Sequence, residues 1–230
     1  MNKVAVVVFP GSNCDRDAHY AFDRILKKET VFHWHMDDIM PGQYSLVILP
    51  GGFSYGDYLR AGAMAKVSPA VISLQKHIDH GGFVLGICNG FQTLVEAGYL
   101  PGVLSKNADN RFHCHDIFIQ AQTTNSPFLK QTPNAQALRM PIAHSQGRYD
   151  VDAKTFEELQ KNDQIAFRYV NNVGEKTADA NFNGSFDSIA GVMNKQKNVL
   201  GMMPHPERCS DPVLGNTDGL LFLRSIGASL

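Results

Sequence analysis

The run Phe83-Val84-Leu85-Gly86-Ile87 leads straight into Cys88-Asn89-Gly90, and residues 89–97 continue as a helix that stops at Gly98. Nothing else in the chain restricts its fold so tightly. An apolar run without polar alternation is a strand buried on both faces. A helix starting one residue later leaves room only for a sharp corner. Gly86 and Gly90 stand two residues either side of Cys88, where such a corner needs small residues. A free cysteine is most often a small buried hydrophobe. At a strand-to-helix corner it is also placed as a cysteine nucleophile elbow. The positive end of the helix then faces the sulfur and favours thiolate, and the backbone N–H of Asn89 is a natural oxyanion donor.

The rest of the first half repeats the alternation. Residues 4–9, 30–36 and 46–49 read as strands, and 15–28 and 66–80 carry apolar residues at helical spacing. Apolar strands alternating with helices predict an α/β fold, an open, mostly parallel sheet with helices on both faces. In the second half, residues 116–122, 165–170, 188–193 and 199–202 read as strands, and 155–161 and 217–226 as helices. Residues 171–188 form a polar, Gly/Asn-rich loop or hairpin. The C-terminal segments look like sheet and cover, so one domain over residues 1–230 is expected.

Composition removes several classes. The 230 residues are 43% hydrophobic and 19% charged, sufficient for a sizeable core. A net charge of -1 provides no field for nucleic acid or an anionic membrane. No stretch reaches the roughly 18 apolar residues of a membrane span. The opening MNKVAVVVFPGSN breaks at Pro10 and is a poor signal peptide. Four scattered cysteines, Cys14, Cys88, Cys114 and Cys209, show no CxxC and fit a reducing compartment. A cytoplasmic location is expected, without nucleic-acid or membrane partners.

Other stretches could complete a site around Cys88. Pro50-Gly51-Gly52 closes a buried strand, where ligands sit in open α/β sheets, and Gly52 or Phe53 could supply a second oxyanion N–H. Pro204-His205-Pro206-Glu207 follows another apolar run. The prolines stiffen an extended segment, in which His205 and Glu207 share one side as a base and its orienting carboxylate. The pairs His33-x-His35 and His113-x-His115 lack the third and fourth ligands of a metal centre, so no metal is expected. FPGSNCDRD, an early turn before a helix, could cradle an anion but lacks a full nucleotide-loop pattern. AHSQGRY, residues 143–149, is a pocket lining or a plain turn.

In their order and separation, Pro50-Gly51-Gly52, Gly86-x-Cys88-x-Gly90-x-Gln92 and His205-Pro206-Glu207 resemble the triad class of glutamine amidotransferase domains, on a flavodoxin-like sheet. The stretches VFPGSNCDRD, LPGGFSYGDYLRAGAMA, GICNGFQTLVEAGYLPG, PIAHSQGRY and MPHPER resemble a narrower family, the glutaminase subunits of phosphoribosylformylglycinamidine synthase, over residues 4 to about 224. The resemblance implies Cys88 as nucleophile, His205 as base and acid, and Glu207 as orienting carboxylate. It implies an oxyanion hole from Asn89 and the Gly52–Phe53 turn. Gln92, His144, Ser145 and Gln146 would hold the substrate L-glutamine. It implies no cofactor on this chain, ATP and magnesium on a synthetase subunit, and a small bridging subunit. Many relatives carry Gly-Glu at Ser145-Gln146, and NADNRFHCHDIF lacks the Arg-Trp that often follows its cysteine. The competing expectations are another flavodoxin-like cysteine hydrolase, of peptidase or deglycase type, and a binding module with a structural cysteine.

Overall fold

In the computed structural model, which describes residues 3–230, one nine-stranded sheet runs through both halves of the chain. The elements in chain order are β1 (Val4–Val8), α1 (Asp15–Tyr20), β2 (Thr30–Trp34), β3 (Leu46–Leu49), α2 (Pro69–Asp79), β4 (Phe83–Ile87) and α3 (Asn89–Glu96). Then follow β5 (Val103–Ser105), β6 (His113–Ala121), β7 (Leu138–His144), β8 (Arg148–Asp150) and α4 (Ala153–Lys161). The chain finishes with β9 (Ile165–Val170), β10 (Ile189–Met193), β11 (Val199–Met202) and α5 (Asp218–Ser229).

The sheet order is β2-β1-β3-β4-β11-β10-β9-β6-β7. Pairing is parallel from β2 to β11, in flavodoxin-like order, and antiparallel from there on. All four residues of β3 and of β11 are fully buried. Successive strand side chains point to opposite faces, so both faces of the parallel half are covered. The parallel half is the part legible as apolar runs; the antiparallel extension was not specified by them. β5 and β8 form a separate two-stranded ribbon. Among the described residues, no helix is long and apolar enough to cross a membrane.

Several expected elements shift for local reasons. The helix expected over 66–80 begins at Pro69, because the residue before a proline is pushed to extended backbone and Ser68 sits at ψ 146°. A short 3-10 turn at Ala65–Val67 precedes it. The helix expected over 15–28 is α-helical only to Tyr20 and then widens into a π segment at Ala21–Ile25. Residue 152 caps α4: its carboxylate accepts the Thr155 N–H at 2.8 Å and starts the helix earlier than its apolar spacing indicates. β7 escaped the sequence reading because it contains Pro141, and it lies at the sheet edge, where a proline costs no ladder bond. Residues 171–188 form a packed loop without a strand.

Candidate active site

The carboxyl ends of the parallel strands converge on one locus, as in open α/β sheets generally. Cys88 follows β4, and the parallel register Met202↔Ile87 brings the end of β11, and so His205, alongside it. The Cys88 backbone is strained, at φ 50° and ψ -105°, in a region favoured by glycine. Its N–H donates to the Met202 carbonyl at 2.8 Å, which ties the corner to β11. The flanking glycines are obligatory. A methyl on Gly90 would overlap the Leu49 carbonyl oxygen, and one on Gly86 would lie 2.6 Å from Leu94 Cδ1 and 2.8 Å from the Gly90 carbonyl carbon.

His205 and Glu207 meet as expected, with Nδ1 and Oε1 2.6 Å apart and both side chains almost wholly buried. The segment is not extended, however. Pro206 starts a 3-10 turn at Pro206–Cys209, and this turn folds the carboxylate back onto the ring. The His205 N–H is anchored on the Pro141 carbonyl at 2.9 Å. Burial disfavours the imidazolium, but the Glu207 carboxylate and the neighbouring Cys88 and Cys14 thiols outweigh it and hold His205 well above the ordinary imidazole range. The β4–β11 register sets Cys88 and His205 at adjacent strand ends, and Nε2 makes no hydrogen bond. Such juxtaposed but unlocked pairs are usual without substrate. The Cys88 thiol points along the Ala143 carbonyl at 3.8 Å.

The two candidates for the second oxyanion donor separate. The Phe53 N–H already donates to the Gly11 carbonyl at 3.1 Å, so the expectation for Phe53 is corrected. Gly52 stays available at φ 130°, and a methyl there would strike Asn13 N and Ser12 Cα at 2.6 and 2.8 Å. Asn89 opens α3, where a first-turn N–H has no intrahelical acceptor. Its side chain is a brace: Oδ1 accepts the Ser54 N–H at 3.0 Å, and Nδ2 donates to Asp57 and Gln92. The GFSYGD stretch is thereby fastened to the elbow, with Tyr55 and Asp57 within it, and Leu59 just after it, at positive φ.

Of the expected substrate contacts, Gln92 spends both ends of its amide within the protein. Oε1 accepts from Asn89, and Nε2 donates to the Gln146 carbonyl at 2.6 Å. It is placed as a brace between α3 and the turn joining β7 to β8. Ser145 accepts the Asn107 N–H through its carbonyl at 2.9 Å, and Gln146 Oε1 accepts the Ala61 N–H at 3.4 Å. His144 is buried, with Nδ1 3.1 Å from Asn107 Oδ1 and Nε2 unpartnered. AHSQGRY is thus the end of β7, a turn and β8, packed beside the elbow. Sequence reasoning passed over Asn107, Asp57 and the neighbours of His205 at Cys14 and Arg208. FPGSNCDRD was the signal for Cys14, whose importance is its place beside His205.

Burial drives His144 from 6.5 to about 3, assisted by the charge of His205, His113 and His115. A folded-state value below the unfolded one means stability is whole above the ordinary imidazole range and erodes as pH falls through it towards 3. Between pH 7 and pH 5 this one ring should cost about 2 kcal/mol. Urea unfolding at the two pH values should therefore show a drop smaller by about that amount in His144→Gln than in the unmodified chain. Equal drops would clear His144 of any part in acid lability.

A strained cysteine elbow, a buried His–Glu pair beside it and free N–H groups at the corner have the form of a triad cysteine hydrolase on a flavodoxin-like sheet. Residues 1–218 match the CobB/CobQ-like glutamine amidotransferase domain family, and the chain belongs to that family. It is 50% identical to a phosphoribosylformylglycinamidine synthase subunit PurQ of Moorella thermoacetica, over 97% of this chain and 94% of that protein. The PurQ subunit of Synechocystis is 48% identical over 98% of this chain and all of that one. The structure of PurLQS from Thermotoga maritima superposes with a TM-score of 0.83 at 39% identity, covering 97% of this chain and 96% of that one. A glutaminase domain of Trypanosoma brucei CTPS shares the fold alone, at TM-score 0.58 and 15% identity, over 99% of this chain and 94% of that one.

Proposed function

We propose that this chain is the glutaminase subunit of phosphoribosylformylglycinamidine synthase, acting in purine biosynthesis in the cytoplasm as a single glutamine amidotransferase domain. The observation that carries the chemistry is Cys88 in a strained corner beside the buried His205–Glu207 pair. The relatives near half identity over nearly the whole chain support the pathway.

Cys88, its proton already held on His205, attacks the side-chain amide carbon of L-glutamine as thiolate. The N–H groups of Asn89 and Gly52 hold the tetrahedral oxyanion; losing one such donor costs ~10²–10³ in rate. His205 returns its proton to the departing nitrogen, and ammonia leaves a thioester on Cys88. The same ring then removes a proton from water, the resulting hydroxide cleaves the thioester, and glutamate is released with the thiol restored. Glu207 orients the ring and balances the imidazolium. His144 and the Ser145-Gln146 turn border the substrate, while Gln92 and the Asn89 side chain position the corner.

Ammonia released into water is lost, so it passes within a complex to a synthetase subunit. That partner holds ATP and magnesium and converts formylglycinamide ribonucleotide, with a small subunit bridging the two. The relative solved as PurLQS supports an assembly of this kind. A glutamine-like electrophile should label Cys88 stoichiometrically and spare Cys114, although Cys114 is the exposed thiol. Cys88 is only 4% exposed, so ammonia release from glutamine should rise when the synthetase subunit is added. Labelling that favours Cys114, or no ammonia with the synthetase present, would refute the assignment.

A further inference from the structure

The triad has a second side that the glutaminase reaction does not use. Cys14, on the loop after β1, places Sγ beside the His205 ring. Ligand atoms of Cys14, His205 and Glu207 all lie within 4.8 Å of one another, and all three residues are buried. Glu207 has a further carboxylate oxygen, Oε2, that is buried without any hydrogen bond. The Arg208 guanidinium donates to Cys14 Sγ at 3.1 Å and is itself paired with Asp17 at 3.1 Å. Burial holds the Cys14 thiol above the ordinary cysteine range, with His205 and Arg208 pulling the other way, and the charge of Arg208 is met by Asp17. A hollow of about 470 Å³, bordered by Asp17, Tyr20, Asp211, Val213 and Leu214, reaches Glu207 and Arg208 on this side; Cys14 and His205 lie behind them.

We infer that Cys14, His205 and Glu207 form an inhibitory site for a thiophilic divalent cation, of the Zn²⁺ or Cd²⁺ class, behind the nucleophile. One sulfur, one imidazole nitrogen and one carboxylate oxygen are the donor set of a tetrahedral site that keeps its fourth position for water. Binding expels the Cys14 thiol proton to solvent. The ring, held as imidazolium beside Glu207, gives up a second proton to solvent, so the ligated imidazole is neutral and keeps one proton. If the cation takes Nδ1, that proton stays on Nε2, the atom that must accept from Cys88. If it takes Nε2, the accepting lone pair is itself occupied. Either choice removes the base, so the cation switches off glutamine hydrolysis without touching the sulfur of Cys88. The binding site stands on its own residues; the inhibition rests on His205 acting as the base.

The test uses the full chain and Cd²⁺, whose bond to a thiolate absorbs in the ultraviolet. Titration of Cys88→Ala should give this charge-transfer band at one ion per chain. Cys14→Ala should weaken binding by more than about tenfold, the loss that follows even from removing an outer-shell partner. Cys114→Ala should leave the band intact. A band that survives Cys14→Ala, or disappears with Cys114→Ala, places the ion elsewhere and sinks the site. Should Cys14→Ala fold poorly, the unmodified protein decides: Zn²⁺ should slow alkylation of Cys14, read peptide by peptide, and an unchanged rate contradicts the site. In the assembled enzyme, Zn²⁺ should suppress glutamine-dependent synthesis and spare ammonia-dependent synthesis. A positive band with unaffected glutamine hydrolysis would reject the switch and its reading of His205 while leaving the site.

Discussion

Cys88→Ala should lower glutamine-dependent synthesis by roughly 10⁴-fold or more, as loss of a triad nucleophile does, while ammonia-dependent synthesis by the assembled enzyme stays intact. The asymmetry follows from the proposed division of labour. The cysteine forms the only covalent bond to glutamine, whereas supplied ammonia enters after that step. Equal loss of both activities in an intact complex would mean that this chain does more than produce ammonia. The same position offers a stability check. At φ 50° the cysteine backbone is strained, and only glycine is at ease there. Cys88→Gly, equally inactive, should therefore unfold at higher urea than Cys88→Ala, by about 1 kcal/mol. An active corner held against its own backbone preference is the signature of a residue kept for chemistry.

Gly90→Ala should be the most damaging small substitution in the fold. The added methyl would overlap the Leu49 carbonyl oxygen and lie 2.5 Å from its carbonyl carbon and 2.8 Å from its Cβ. These are mostly backbone atoms of a central strand whose residues are fully buried, so none can swing aside. Relief requires α3 to separate from β3, which moves Asn89 and Cys88 with it. A cost of about 4 kcal/mol or more is expected, in the range reserved for severe overpacking. For a chain of this size that lowers the melting temperature by about 8–16 °C. Gly98→Ala is the matched control. Gly98 also has positive φ, at 80°, but a methyl there meets nothing within 4 Å. It should cost only about 1 kcal/mol, from backbone strain alone. Thermal melts of the two variants compare packing with strain directly, and similar melting temperatures would show that the elbow is not close-packed.

Much of the site was legible because it is built from local signals. The Gly86-Cys88-Gly90 corner, the Pro50-Gly51-Gly52 turn and the His205–Glu207 pair each lie within a few residues, where glycine, proline and apolar runs dictate backbone shape. The errors fell where a local signal met a long-range demand. The strand around Pro141 went unread, and the sheet edge is what accommodates its proline. Phe53 looked free to donate until the loop after β1 claimed its N–H. Gln92 looked ready for substrate until Asn89 and the Gln146 carbonyl took both ends of its amide.

From residue order alone came the buried strands, the corner at Cys88 and the kinds of group that could act there. Tertiary structure alone decided which of them meet. Parallel pairing of β4 with β11 carries His205 to Cys88, and the bridge between Ser12 and Gly52 holds the loop of Cys14 beside the same ring. Periodicity records which face of a segment is buried. It does not record which distant segment will cover that face, because the choice depends on the packing of the whole sheet.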